Sequence, residues 1–333
     1  MKRIAVLGAG SWGTALAVHL ARIDHDVRLW AREPEVVEDI RTRHANAVFL
    51  PDIMLPPAIE ATNDLAEALA GCGLVVSAVP SHGLRGVLRR AAPHLEPGAV
   101  VVSATKGLEE GSLLRMSEVI EQELGPAHPA AALSGPTFAL EVARELPAAV
   151  LVASKVPAAV TLVQDEFRGR AFRLYASDDV VGVEIGGALK NVVAIAAGTV
   201  DSLGLGQNAL AALITRGLAE ISRLAFALGG QRETLAGLSG LGDLVLTCTG
   251  SLSRNRHVGI ELGKGRPLAE IVASMKMVAE GVRTTDAAVA LAARHGVELP
   301  IAQKMHEVMA GKPPRLAVEE LMLRRQRPEA ERG

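Results

Sequence analysis

The chain has 333 residues and a formal net charge of −2; 49% of it is hydrophobic and 22% charged. That length suggests two domains, each able to bury a core, and that apolar content excludes an intrinsically disordered chain. A charge near zero and 2% aromatic residues speak against a general nucleic-acid binder, a polybasic membrane binder or a base-stacking platform.

In chain order, residues 4–7 read as a strand and residues 14–23 as an Ala-rich helix. Between them lies GAGSWG, residues 8–13. A GxGxxG that follows a strand and opens a helix is a dinucleotide loop. Gly8 permits the turn, Gly10 lets a pyrophosphate approach the backbone, and Gly13 lets helix and strand pack closely. The helix N-terminus offers free N–H groups to the phosphates. Residues 27–30 form the second strand, and cofactor choice is read at its end. Arg32 there favours a 2′-phosphate and hence NADP(H); Glu33 keeps NAD(H) open. The expected cofactor is NADP(H), with NAD(H) tolerated; no metal is expected.

Further apolar runs at 74–79, 99–104, 130–133 and 148–152 read as strands separated by helices. Such continuous runs predict a doubly wound, mostly parallel α/β sheet covered on both faces. Ligands bind at the carboxyl ends of its strands. Lys106-Gly107 follows one such end, and Gly135-Pro136-Thr137 follows the next.

The pattern changes near residues 177–180. Helical spacing covers 183–201, 209–228, 284–295 and 300–309, with Thr284-Thr285 read as a helix start and Gly296 as a stop. The expected division is residues 1–178 for the nucleotide-binding domain, 179–325 for an all-helical domain and 326–333 for a charged tail. The stretch 146–163 is broken by Pro147, Lys155 and Pro157, so no membrane span is expected. The apolar run after Lys2-Arg3 is too short for a signal peptide. Cys72 and Cys248 are the only cysteines, which points to a reducing compartment, the cytoplasm.

Three features of the helical half carry chemistry. Lys190 lies among Gly, Ala and Val, where desolvation would lower its pKa and suit it to acid/base work; an amphipathic surface helix would give the same residue no such role. Residues 237–243, GLSGLGD, suit a tight loop whose Asp243 either caps the next helix or orients a lysine. Ser253-Arg254-Asn255 offers a hydroxyl, a guanidinium and an amide, a set suited to a phosphate.

The motifs together resemble one family, the bacterial NAD(P)-dependent sn-glycerol-3-phosphate dehydrogenases. The resemblance covers roughly residues 3–312. It rests on GAGSWGTALA (8–17), SATKGLE (103–109), LSGPTFA (133–139), GGALKNVVAIAAG (186–198), GLSGLGDLVLTCTG (237–250), SRNR (253–256) and VAEGVRTT (278–285). It implies a Rossmann domain followed by an all-α domain, and reduction of dihydroxyacetone phosphate to sn-glycerol 3-phosphate for phospholipid synthesis. By resemblance Lys190 is the general acid/base, and Lys106 touches cofactor and substrate. Gly135, Thr137, Asp243, Ser253, Arg254 and Asn255 are implied substrate contacts, with Arg254 on the phosphate. Ser11, Trp12, Arg32, Ala139, Arg254, Val278 and Glu280 are implied cofactor contacts. Homodimers are common in the family, and the apolar helical surface is compatible with one.

Asp24 stands where the family usually has Gly or Asn, which puts the turn before the second strand in question. A related β-hydroxyacid-type dehydrogenase and a noncatalytic dinucleotide sensor are the competing readings. Residues 237–243 and 253–255 favour the first family over the β-hydroxyacid type, and intact Lys106, Lys190, Asp243 and Arg254 speak against the sensor.

Overall fold

The computed structural model describes residues 2–325 apart from Lys276; the expected charged tail, 326–333, lies outside the described residues. Ten strands are formed: β1 (Arg3–Leu7), β2 (Asp26–Trp30), β3 (Ala45–Asn46), β4 (Leu50–Met54), β5 (Ile59–Thr62), β6 (Leu74–Ser77), β7 (Val100–Ser103), β8 (Ala130–Ser134), β9 (Ala148–Ala153) and β10 (Phe172–Ser177). Eight of them make one sheet in the order β10-β9-β8-β7-β6-β1-β2-β5. Every pairing in it is parallel except β8 with β9, so β9 and β10 run against the other six. β3 and β4 form a separate antiparallel ribbon.

The inner strands form because their Val, Ile, Leu and Ala side chains are buried on both faces, as a parallel sheet requires. Val6, Val76 and Val102 join one core cluster; Leu7, Val75 and Val101 join the cluster on the opposite face.

The expected strands at 4–7, 27–30, 74–79, 99–104, 130–133 and 148–152 are all present, with ends shifted by up to two residues. β3, β4, β5 and β10 were not expected. β4 contains Pro51, and β10 is an edge strand with exposed positions along it, so neither shows a continuous apolar run.

After β10 all described elements are helical. Asp179 caps helix Val180–Ser202 by accepting from the Gly182 N–H. This helix is long and apolar enough to cross a membrane, with a mean hydropathy of 1.6, but 94% of the relevant window is buried inside the protein. It is the core around which the helical half is built. Helix Arg254–Gly263 packs against it at near-backbone contact: a Cβ on Gly259 would lie 1.8 Å from the Ile195 carbonyl oxygen.

Two helix expectations are corrected. The helix expected to start at Thr284 runs Glu280–Arg294. Thr285 turns its hydroxyl to the Gly281 carbonyl at 2.7 Å and so sits inside the helix instead of capping it. Residues 238–242 are not a loop but a π-helical turn, Leu238–Gly242, running into helix Asp243–Thr249. Asp24 adopts φ 68°, the left-handed conformation that Asp tolerates, so the turn before β2 keeps its shape without glycine.

Candidate active site

The ends of β1, β6, β7 and β8 and the middle of the central helix converge on one site. At β1, Gly8 has φ +108°, and a Cβ on Gly13 would lie 1.8 Å from the Gly8 carbonyl oxygen. A Cβ on Gly10 would meet nothing within 4 Å, which leaves its backbone open to a phosphate. Helix Ser11–Arg22 has no acidic residue in its first turn, so its N-terminal N–H groups keep their attraction for an anion. The Trp12 indole N–H is buried there without a partner. Asn46 braces the loop, donating to the Ala9 carbonyl at 2.8 Å and to Thr14 Oγ1 at 2.9 Å. Just past β2, Arg32 has a largely exposed side chain that pairs with Glu33 at 2.6 Å. These residues fit a dinucleotide.

The helical half reaches across to this loop. Ser11 Oγ donates to Met277 Sδ at 2.9 Å, which ties the segment before helix Glu280–Arg294 to the nucleotide loop. Glu280 accepts from the Ser81 N–H at 3.1 Å and the Ser81 hydroxyl at 2.6 Å, at the start of helix Ser81–Ala91. Ala139 opens helix Ala139–Ala143 and packs against the first core.

The charged centre is made by three distant segments. Lys190 Nζ donates to Asp243 Oδ1 at 2.5 Å and to Thr247 Oγ1 at 2.9 Å. Lys106 Nζ donates to Asp243 Oδ2 at 2.7 Å and to the Gly135 carbonyl at 3.0 Å. Thr137 Oγ1 donates to that same carbonyl at 3.1 Å. Asp243 is fully buried, and Lys190 is 5% exposed. Lys190 is therefore no surface lysine, and Asp243 orients two lysines while making no cap hydrogen bond to its own helix.

Burial pushes the Lys190 ammonium down to about 7; Asp243 opposes the shift and Lys106 adds to it. Two cations share one carboxylate, so with both lysines protonated the centre holds one unbalanced positive charge. A positive charge of this kind would stabilise an oxyanion developing beside it. Cys248, buried beside this pair, has its thiol pushed up to about 12 by burial and is unreactive at neutral pH.

The Ser253-Arg254-Asn255 set is brought to the same region and divides its work. Ser253 caps helix Arg254–Gly263 by accepting from the Arg256 N–H. Asn255 donates to Asn191 Oδ1 at 2.9 Å and accepts from the Gly281 N–H at 3.0 Å, tying this helix to the residue after Lys190. Arg254 is exposed; the protein around it lowers its pKa and Glu280 raises it.

Among the described residues no group of three or more His, Cys, Asp or Glu is placed to hold a metal ion. Sequence reasoning missed Thr247, although four positions after Asp243 on a helix is a legible same-face signal. It also missed Asn46, Asn191 and Ser81, whose partners are far away in sequence.

Comparison with known proteins agrees over nearly the whole chain. The NAD-dependent glycerol-3-phosphate dehydrogenase N-terminus matches residues 3–160, and the C-terminus of the same family matches residues 179–319. A glycerol-3-phosphate dehydrogenase (NAD(P)+) of Koribacter versatilis is 56% identical, over 97% of this chain and 98% of its own. One of Geobacter sulfurreducens is 55% identical over 97% of each chain. The crystal structure of glycerol-3-phosphate dehydrogenase from Coxiella burnetii superimposes with a TM-score of 0.94 at 43% identity, covering 97% of this chain and 99% of its own.

Proposed function

Because the chain belongs to the NAD-dependent glycerol-3-phosphate dehydrogenase family and is an NAD(P)-dependent oxidoreductase acting on a CH–OH group, we propose that it interconverts dihydroxyacetone phosphate and sn-glycerol 3-phosphate with Lys190 as general acid/base. The observation that carries this reading is the buried Asp243 carboxylate shared by Lys190 and Lys106. When bound, the reduced nicotinamide supplies the hydride. Lys190 Nζ gives its proton to the carbonyl oxygen as that oxygen gains charge, and takes it back in the reverse direction. Lys106 stabilises the developing oxyanion and keeps its ammonium in place through Asp243 and the Gly135 carbonyl. Arg254 anchors the phosphate, with Thr137 and Asn255 beside it.

Gly8, Gly10, Ser11, Trp12 and Gly13 would hold the pyrophosphate end of the cofactor, with Ala139, Val278 and Glu280 around it. Arg32 would take the 2′-phosphate of NADP(H). Residues 1–178 would supply most of the cofactor contacts and residues 179–325 most of the substrate contacts, with Lys106, Gly135 and Thr137 crossing to the substrate and Val278 and Glu280 crossing to the cofactor. We place the enzyme in the cytoplasm, a reading supported by two buried, unpaired cysteines; its product serves glycerophospholipid synthesis. The exposed apolar side chains of Phe226, Leu252 and Met322 are compatible with a homodimer, and a monomer by light scattering would overturn that reading.

The test of the reaction is loss of NADPH absorbance on adding dihydroxyacetone phosphate, with NADH in parallel. Fast loss with NADPH and slower loss with NADH is expected. Equal rates would move the ribose contact to Glu33. No loss with either, despite cofactor binding, would overturn the reading.

A further inference from the structure

Outside the charged centre lies a second buried ion pair that the reaction as described does not use. Arg115 and Glu184 are each 8% exposed. Arg115 Nη1 donates to Glu184 Oε2 at 2.8 Å. Glu184 also accepts from the Ser117 N–H at 2.8 Å and the Ser117 hydroxyl at 2.5 Å. Both carboxylate oxygens are therefore occupied, as a buried charge demands. Burial pushes the Glu184 carboxyl up, and Arg115 and Ser117 pull it back.

The two ends of this pair are attached to the two lysines. Arg115 closes the loop that begins after β7 and carries Lys106: Leu108 and Arg115 form an antiparallel bridge. The Glu109 N–H donates across the same loop to the Leu114 carbonyl at 2.9 Å. Leu108, 1% exposed, inserts into the core of the helical half. Glu184 lies on the central helix six positions before Lys190, roughly 9 Å along the axis and on a different face. A fixed charge pair on one face of a helix resists its rotation and sliding, and so adds to the packing that holds Lys190 in place. The central helix also comes close to the Lys106 stem: a Cβ on Gly187 would lie 3.7 Å from Lys106 Cγ.

We propose that the Arg115–Glu184 pair is a positioning device that locks the Lys106 loop to the Lys190 helix, so that both ammonium groups meet Asp243 at a fixed spacing. It rests on the acid/base reading of Lys190. Neither Arg115 nor Glu184 touches the reacting atoms. Their effect runs through the lysines, where a displacement of about 1 Å is enough to cost a large factor in rate.

The test uses Glu184→Gln and Arg115→Met in the full enzyme, with Arg115→Lys as the conservative variant and Lys190→Met alongside. Expected is a fall in kcat per mole of folded enzyme of about tenfold or more. The inflection of kcat/KM near pH 7 is displaced, NADPH affinity by fluorescence is unchanged, and Arg115→Lys recovers part of the rate. If Glu184→Gln does not fold, Glu184→Asp is read the same way. A lowered melting temperature with kcat per folded enzyme and the pH inflection unmoved would make the pair merely structural and overturn the proposal. A Lys190→Met enzyme with wild-type kcat would instead overturn the underlying acid/base reading, whatever the pair does.

Discussion

The sheet half offers a ligand mainly backbone, and the helical half offers mainly side chains. At the nucleotide loop the working features are a left-handed Gly8, an open Gly10 and a Gly13 with no room for a Cβ. In the helical half they are Lys190, Asp243 and Thr247, all 5% exposed or less, linked by hydrogen bonds of 2.5 and 2.9 Å. Backbone N–H groups have no protonation state to tune, so they bind. A lysine among Ala and Val has its pKa lowered by burial, which suits Lys190 to the acid/base role proposed for it. Lys106 is the exception that joins the two: it stands at a strand end but is held by Asp243 of the helical half.

The comparison is sharpened by substitutions that separate rate from affinity. The largest effect is expected from Lys190→Met, with kcat lowered by about 10² or more and NADPH affinity nearly intact. A change in KM alone would place Lys190 with the binding residues. Next is Arg254→Ala, which removes a charged phosphate contact of about 1.5–3 kcal/mol. The KM for dihydroxyacetone phosphate should rise by about 10- to 100-fold, with kcat changed far less; steady-state titration that finds KM unchanged would contradict its role. The smallest is Arg32→Ala, since its side chain is 78% exposed and solvent screens its attraction for a 2′-phosphate. It should weaken NADPH by about tenfold or less and leave NADH unchanged; equal effects on both cofactors would break the link between Arg32 and the 2′-phosphate.

The same contrast decides what could be read from sequence. β1, β6, β7 and β8 are legible because burial on both faces demands unbroken apolar runs, and their ends place Gly8, Lys106 and Gly135 correctly. β5 and β10 sit at the sheet edges, where polar residues are tolerated and the signal disappears. Lys190 is legible from its apolar neighbours. Its partnership with Asp243 is not, because 53 positions separate them and only the packed helices bring them together. The π-helical turn that aims Asp243 reads as a loop, since three glycines signal close approach without saying to what. Here it is the Leu235 carbonyl, 2.0 Å from where a Cβ on Gly240 would be. Arg115 and Glu184, 69 positions apart, carry no local signal at all.

The central claim is that Lys190 moves the proton, and the pH dependence of kcat/KM in both directions tests it most directly. With its pKa brought down to about 7 by burial, Lys190 is ammonium below that pH and free amine above it. Reduction needs the ammonium, so its kcat/KM should be level in acid and fall as pH rises through about 7. Oxidation needs the amine, so its kcat/KM should rise through the same pH. Opposed inflections near 7 that vanish together in Lys190→Met are the predicted result; profiles flat from pH 6 to 9 in the wild-type enzyme, in a range set by about two units above that pKa, would contradict it.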